Sequence, residues 1–162
     1  MEKILISACL IGGLCRYDGK QKKWIHDLIR KWETQGRLVP FCPEVAGGLK
    51  IPRPPAQIVN GDGLDVLENK ARVQTSTGED VTQAFVTGAQ AALELTRTHG
   101  IKIAILKAKS PSCGSDCIYD GTFENRLVPG IGVTTAVLRE NGVVIFSELE
   151  IEEVSIWLKQ NF

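Results

Sequence analysis

Short apolar runs alternate along this chain with longer stretches in which apolar positions recur every three or four residues. Ile4-Leu5-Ile6 predicts a first strand over about residues 3–8, followed by a glycine-rich turn with Arg16-Tyr17-Asp18-Gly19. Trp24, Ile25, Leu28, Ile29 and Trp32 then make the stripe of an amphipathic helix from about 20 to 35. Gly36 stops it at the C′ position. Arg37 to Phe41 reads as a second strand, with Pro40 arguing for an early end. From Cys42 to Gly63 the chain is rich in Gly and Pro and reads as a long functional loop. Residues 65–68 and 71–75 predict a small β-hairpin across Asn69-Lys70. Asp80, with Gln83 in the capping-box position, opens a helix that buries Val81, Phe85, Ala89, Ala92 and Leu93 and ends at His99-Gly100.

Ile101 to Leu106 is a continuous apolar run, as expected of a central parallel strand. A second long loop spans Ala108 to Pro129, then a helix over about 132–141, a strand over 143–147 and a last helix over 150–160. Strands alternating with helices predict one α/β domain over residues 1–162, with a doubly wound, mostly parallel sheet and a small β-hairpin insertion.

Composition adds exclusions. Lys plus Arg and Asp plus Glu number 19 each, so no net field draws a polyanion and nucleic acid is not the default partner. The clusters Lys20, Lys22, Lys23 and Lys102, Lys107, Lys109 read as solvated faces. No signal peptide and no membrane-length apolar run is visible, which predicts a cytoplasmic, reducing location. The 5 cysteines are then metal ligands, nucleophiles or small buried hydrophobes rather than disulfides.

Three of those cysteines change the picture. Cys9 follows the first predicted strand, Cys42 the second, and Cys113 the apolar run ending at Leu106. In an open parallel sheet the carboxyl ends of the strands border the ligand crevice. Thiolates brought there from separate strands make a soft-metal site with one position open, which suits iron–sulfur chemistry better than closed structural zinc. The Cys113/Cys117 spacing keeps zinc open, while Cys15 and Cys117 otherwise read as inert. His26 and His99 fall on predicted helices as surface or helix-end residues. Glu44, two residues beyond Cys42, is placed to activate water. Ser110 and Ser112 could hold a substrate or relay a proton, and Arg53 and Asp120 could orient one. Gly130-Ile131-Gly132 invites a phosphate-loop reading but lacks a preceding predicted strand and the full fingerprint.

Ser7-Ala8-Cys9-Leu10, Arg16-Tyr17-Asp18-Gly19, Cys42-Pro43-Glu44, Gly47-Gly48-Leu49, Pro52-Arg53, Ser110-Pro111-Ser112-Cys113-Gly114 and Tyr119-Asp120-Gly121-Thr122-Phe123 together resemble the thiouracil desulfidase (TudS) family, formerly a bacterial domain of unknown function. The resemblance covers nearly the whole chain in order. It implies a [4Fe–4S] cluster held by Cys9, Cys42 and Cys113, with one iron lacking a protein ligand, and catalytic roles for Glu44 and Ser110. It further implies desulfidation of a thiolated pyrimidine (a 4-thiouracil-like base, nucleoside or nucleotide) with release of sulfide and no net redox change. Some relatives carry an added C-terminal domain linked to tRNA; this chain stops at Phe162, which favours a small thiolated compound over tRNA. A metal- or redox-sensing module without catalysis, and a persulfide carrier with Cys113 as nucleophile, are the competing readings.

Overall fold

The computed structural model describes residues 1–20 and 23–162. In chain order its elements are β1 (Ile4–Ser7), α1 (Asp27–Thr34), β2 (Leu38–Phe41), α2 (Pro43–Ala46), β3 (Ala56–Val59), α3 (Gly63–Leu67) and β4 (Arg72–Thr75). Then come α4 (Thr82–His99), β5 (Ile103–Leu106), β6 (Cys117–Tyr119), β7 (Leu127–Pro129), α5 (Val133–Glu140), β8 (Val144–Ser147) and α6 (Ile151–Asn161). Four strands form a parallel sheet in the order β2-β1-β5-β8, and two short antiparallel pairs, β3-β4 and β6-β7, stand beside it.

The two-residue period of the strands sorts the core onto both faces of the sheet. Ile4, Ile6, Ile103 and Ile105 pack on one side with Ile29 and Trp32 of α1 and Val154 and Leu158 of α6. Leu5, Ala104, Leu106 and Ile145 pack on the other with Phe85, Ala89 and Leu93 of α4 and Val133 and Val137 of α5. Each fully buried Ile or Leu contributes about 1.5–3 kcal/mol. This is the doubly wound α/β architecture that the alternating pattern predicts.

The chain leaves β1 for α1 on one face and leaves β5 for α5 on the other, so the connections after these adjacent strands diverge. A crevice opens at such a switch point, beyond the carboxyl ends of the strands.

Several boundaries differ from the sequence reading. The first helix begins at Asp27 rather than near 20, because His26 adopts an extended conformation and its Nδ1 accepts a hydrogen bond from Leu28 N at 3.1 Å. Positions 21 and 22 of that expected helix, and Lys22 of the basic cluster, lie outside the described residues. The expected hairpin over 65–68 and 71–75 is wrong in its first arm. Asp62 accepts from Leu64 N and Asp65 N, and Asp65 accepts from Asp62 N, so residues 63–67 coil into α3. The true partner of β4 is β3, hidden inside the stretch read as a loop. Pro40 does not end β2 early, because β2 is an edge strand and tolerates a missing donor. Val81, not Asp80, is the N-cap of α4, although Asp80 Oδ1 does accept from Thr82 N at 2.9 Å; no capping box with Gln83 forms.

Helix α2 lies directly on α4. A methyl group at Gly88 would collide with Pro43 O, and one at Gly47 with Ala84 O. On propensity alone, Ala at a mid-helix glycine stabilises by about 0.5–1 kcal/mol. Here the obstacle is backbone that cannot swing aside, so Gly88→Ala should instead destabilise, near the upper end of the ~1–3 kcal/mol range for overpacking. Urea unfolding of the two proteins reads the sign directly; a stabilised variant would mean α2 is not seated there.

Candidate metal centre and active site

The crevice at the switch point is a cleft of about 660 Å³ lined by, among others, Cys9, Cys15, Cys42, Glu44, Arg53 and Ser110, with Cys113 at its floor. Cys9 lies in the 3-10 turn Ala8–Ile11 that follows β1, Cys42 caps α2 immediately after β2, and Cys113 lies in the loop after β5. Adjacent strands in one sheet thus deliver thiols from three distant segments to one place. A separate groove of about 550 Å³ against α1 and α6 holds the His26–Glu152 pair at 3.5 Å and is lined by no cysteine.

The loop carrying Cys113 is fixed from two sides. Ser110 Oγ accepts from Ser112 N at 3.0 Å and from Cys113 N at 3.1 Å, which closes the turn and leaves the hydroxyl proton free to be donated. Behind it, Val133 N donates to Pro111 O, Thr134 N and Thr135 N donate to Ser112 O, and Thr135 Oγ1 donates to Cys113 O. The first amides of α5 are therefore taken up by the cysteine loop. A short strand, β7, does precede Gly130, but the amides of the Gly130-Ile131-Gly132 turn are bonded within the protein and are not turned to a phosphate. Where the loop begins, the buried Glu148 accepts from Ala108 N with both oxygens and from Lys107 Nζ at 3.2 Å.

Glu44 and Arg53 meet at 3.3 Å, with the guanidinium side chain only 8% exposed. Arg53 Nη2 also donates to Cys15 O at 2.9 Å, and Arg53 N donates to Tyr17 O, so this residue staples the Cys15–Tyr17 segment onto the Cys42–Glu44 turn. Burial pushes the Glu44 carboxyl up from its ordinary value, and the Arg53 charge partly offsets that rise. Among the described residues, Arg53 Nε and Trp24 Nε1 are buried nitrogens without a hydrogen-bond partner, and both side chains line the cleft.

The thiols respond to one another. The neighbouring Cys15 thiol and then burial raise Cys42 far above an ordinary cysteine. Burial pushes Cys113 up to about 12. Cys15 is lowered by its contact with Cys42 but raised more by Cys9 and by burial together, so it ends above its usual value. Crowded thiols held protonated in this way exchange protons for a cation when a metal binds. No three His, Cys, Asp or Glu side chains among the described residues close on a single ion. The donor set in the cleft is soft, the kind that iron–sulfur chemistry uses, and all 5 cysteines are free thiols.

The predicted site residues divide accordingly. Cys9, Cys42, Cys113, Glu44, Arg53 and Ser110 come together in the cleft. Ser112 does not line it: it is 1% exposed behind Cys113, its hydroxyl paired with Thr134 Oγ1 at 2.8 Å. Asp120 stands outside the lining as well, with its Oδ1 accepting from Thr122 N and Thr122 Oγ1. Cys117 sits on β6 and is not among the residues lining the cleft. The sequence reading missed Cys15, which the turn through Gly12-Gly13 folds back beside Cys9 and Cys42. It also missed the aromatic rim of Tyr119 and Phe123, where Gln57 Oε1 accepts from Gly121 N and Phe123 N. Gly121 is required at that corner, since it has φ +92° and a Cβ there would lie 2.6 Å from Ile58 O.

Comparison with known proteins identifies the family. Residues 4–150 match the family model described as 2-thiouracil desulfurase. The protein YbbK of Bacillus subtilis (strain 168), itself uncharacterized, is 42% identical over 151 residues, spanning 93% of this chain and 99% of its own. A solved structure described as the [4Fe-4S]-dependent thiouracil desulfidase TudS (DUF523Vcz) is 44% identical, covers 99% of each chain and has a TM-score of 0.90. Matched in sequence almost from end to end and in the course of its backbone, the chain belongs to the 2-thiouracil desulfurase family.

Proposed function

We propose that this protein removes sulfur from a thiolated pyrimidine, a 4-thiouracil-like base, nucleoside or nucleotide, and releases sulfide without net redox change. The observation that carries the reading is the meeting of three thiols from three strand ends with the half-buried Glu44 carboxylate in one cleft. Cys9, Cys42 and Cys113 would hold a [4Fe–4S] cluster as thiolates. When bound with three protein ligands, such a cluster supplies a Lewis-acidic iron with an open position suited to a soft sulfur atom.

The remaining chemistry belongs to the chain. Glu44 takes a proton from the attacking water, and its raised basicity fits that task. Arg53 fixes the carboxylate through the 3.3 Å contact and offers its Nε–H to the pyrimidine. Ser110, whose oxygen is already engaged by two backbone amides, can only donate its proton, which suits it to the departing sulfur or a ring heteroatom. Ser112 and Asp120 act behind the site by holding the loops that carry Cys113 and the aromatic rim. Tyr119 and Phe123 would shield the ring from bulk water. Overall the C=S bond breaks, a C=O bond forms with the oxygen of water, and sulfide leaves with the two protons; no electrons are transferred. Balanced charge argues for a small substrate rather than tRNA, and free thiols suit a reducing cytoplasm. No helix among the described residues is long and apolar enough to cross a membrane.

The test is to purify the protein without oxygen, load it with iron and sulfide, and offer thiolated bases, nucleosides, nucleotides and tRNA. Loss of thione absorbance matched by free sulfide is expected from at least one small pyrimidine. Iron-loaded protein that liberates no sulfide from any of them overturns the proposal.

A further inference from the structure

At the last residue of β1, Ser7 is only 3% exposed, and its hydroxyl bridges the switch point. Its oxygen accepts a hydrogen bond from Lys107 N, just past the end of β5, at 2.9 Å. Its proton is donated to Cys113 Sγ at 3.5 Å. A hydroxyl has a single proton, and the amide of Lys107 fixes which side of the oxygen accepts. The neighbouring backbone therefore aims that proton at the sulfur. The parallel register that sets Ile6 beside Ile105 places the hydroxyl there, so the contact is a product of the sheet rather than of a flexible loop.

We propose that Ser7 is a positioning residue for the metal centre: it donates a hydrogen bond to the Cys113 sulfur and tunes the cluster that this sulfur would hold. The inference rests on the cluster reading given above. A thiolate is an acceptor only, and an O–H donor in a buried setting makes a charge-assisted bond to it, stronger than the bond to a neutral thiol. Hydrogen bonds to ligand sulfurs stabilise the more reduced, more negative cluster and so raise its reduction potential. Ser7 makes no contact with substrate in this scheme and acts through Cys113.

The experiment compares wild-type protein with Ser7→Ala, Ser7→Val and Ser7→Thr, each loaded anaerobically. Val and Thr are nearly isosteric and differ by the hydroxyl, so packing is held constant between them. If Thr and Val are too large to fold, the wild-type and Ala proteins still differ by the hydroxyl. The readouts are the reduction potential of the cluster and the rate of iron loss in air, with thermal melts as the record of folding. Ala and Val should have a more negative potential and lose iron several-fold faster, and Thr should restore both properties. Variants without the hydroxyl that keep the wild-type potential overturn the role of Ser7 while leaving the cluster reading intact. So does a Thr variant that behaves like Val. Wild-type protein that takes up no iron overturns the cluster reading and this inference with it.

Discussion

Replacing Cys113 by Ala should abolish iron loading and reduce desulfidation by more than about 100-fold. Loss of an outer partner of a metal ligand commonly costs 10–100-fold, and removal of a ligand should exceed that. The residue is 5% exposed and held at its backbone by Ser110 and Thr135, so the turn survives without the sulfur. Cys113→Ser, close in size, separates a packing effect from a ligand effect, because it fills the space and supplies a hard oxygen in place of a soft sulfur. Both variants should fold, as thermal melts will record, yet neither should bind wild-type amounts of iron. Cys117→Ala is the control, since that thiol lies on β6 and does not line the cleft; it should keep iron and activity. Full activity in Cys113→Ala would sink the proposed centre.

The second large effect is expected at Glu44. Glu44→Gln keeps the shape and an oxygen that can accept from Arg53 Nη2, but it cannot take a proton. Turnover should fall by about 10²–10⁴-fold, the usual scale for a positioned general base, with iron content and melting temperature little changed. The contrast with Cys113 is the informative part: one variant loses the metal and the chemistry together, the other loses only the chemistry. Turnover within a few-fold of wild type in iron-loaded Glu44→Gln would require another base. Lys107, also in the cleft, is a poor substitute because its ammonium is tied to Glu148.

The central sheet and its helices were legible because their signals are local and redundant. Ile4-Leu5-Ile6 and Ile103 to Leu106 are buried on both faces and read as unbroken apolar runs. Phe85, Ala89, Ala92 and Leu93 keep a helical spacing over the long, uninterrupted α4. Cysteines just beyond such strands can be placed in a crevice without knowing the strand order, because every parallel strand ends on the same side. The failures came where a polar side chain decided between conformations of similar local preference. Leu64 to Leu67 suits strand or helix, and the exchange of hydrogen bonds between Asp62 and Asp65 settles it. His26 delays α1 in the same manner. Ser112 and Asp120 carry the composition of ligand-binding loops, yet the Ser112 hydroxyl pairs with Thr134 and Asp120 Oδ1 accepts from Thr122, both outside the cleft lining. Cys15 looked inert because its largest partner, Cys42, lies 27 residues away in sequence. Ser7 was visible only as part of a motif, since its role depends on a contact 106 residues away.

That separation has an energetic corollary. In the unfolded chain, bringing Cys9, Cys42 and Cys113 within reach of one prosthetic group would demand closure of two long loops, and nothing local favours it. The paired strands prepay this entropy, so whatever the three sulfurs capture is captured by the native state alone. On the proposed cluster reading, cofactor acquisition and folding would be linked equilibria: each increment of binding free energy would reappear as resistance to unfolding, and the apo form would be the less robust of the two.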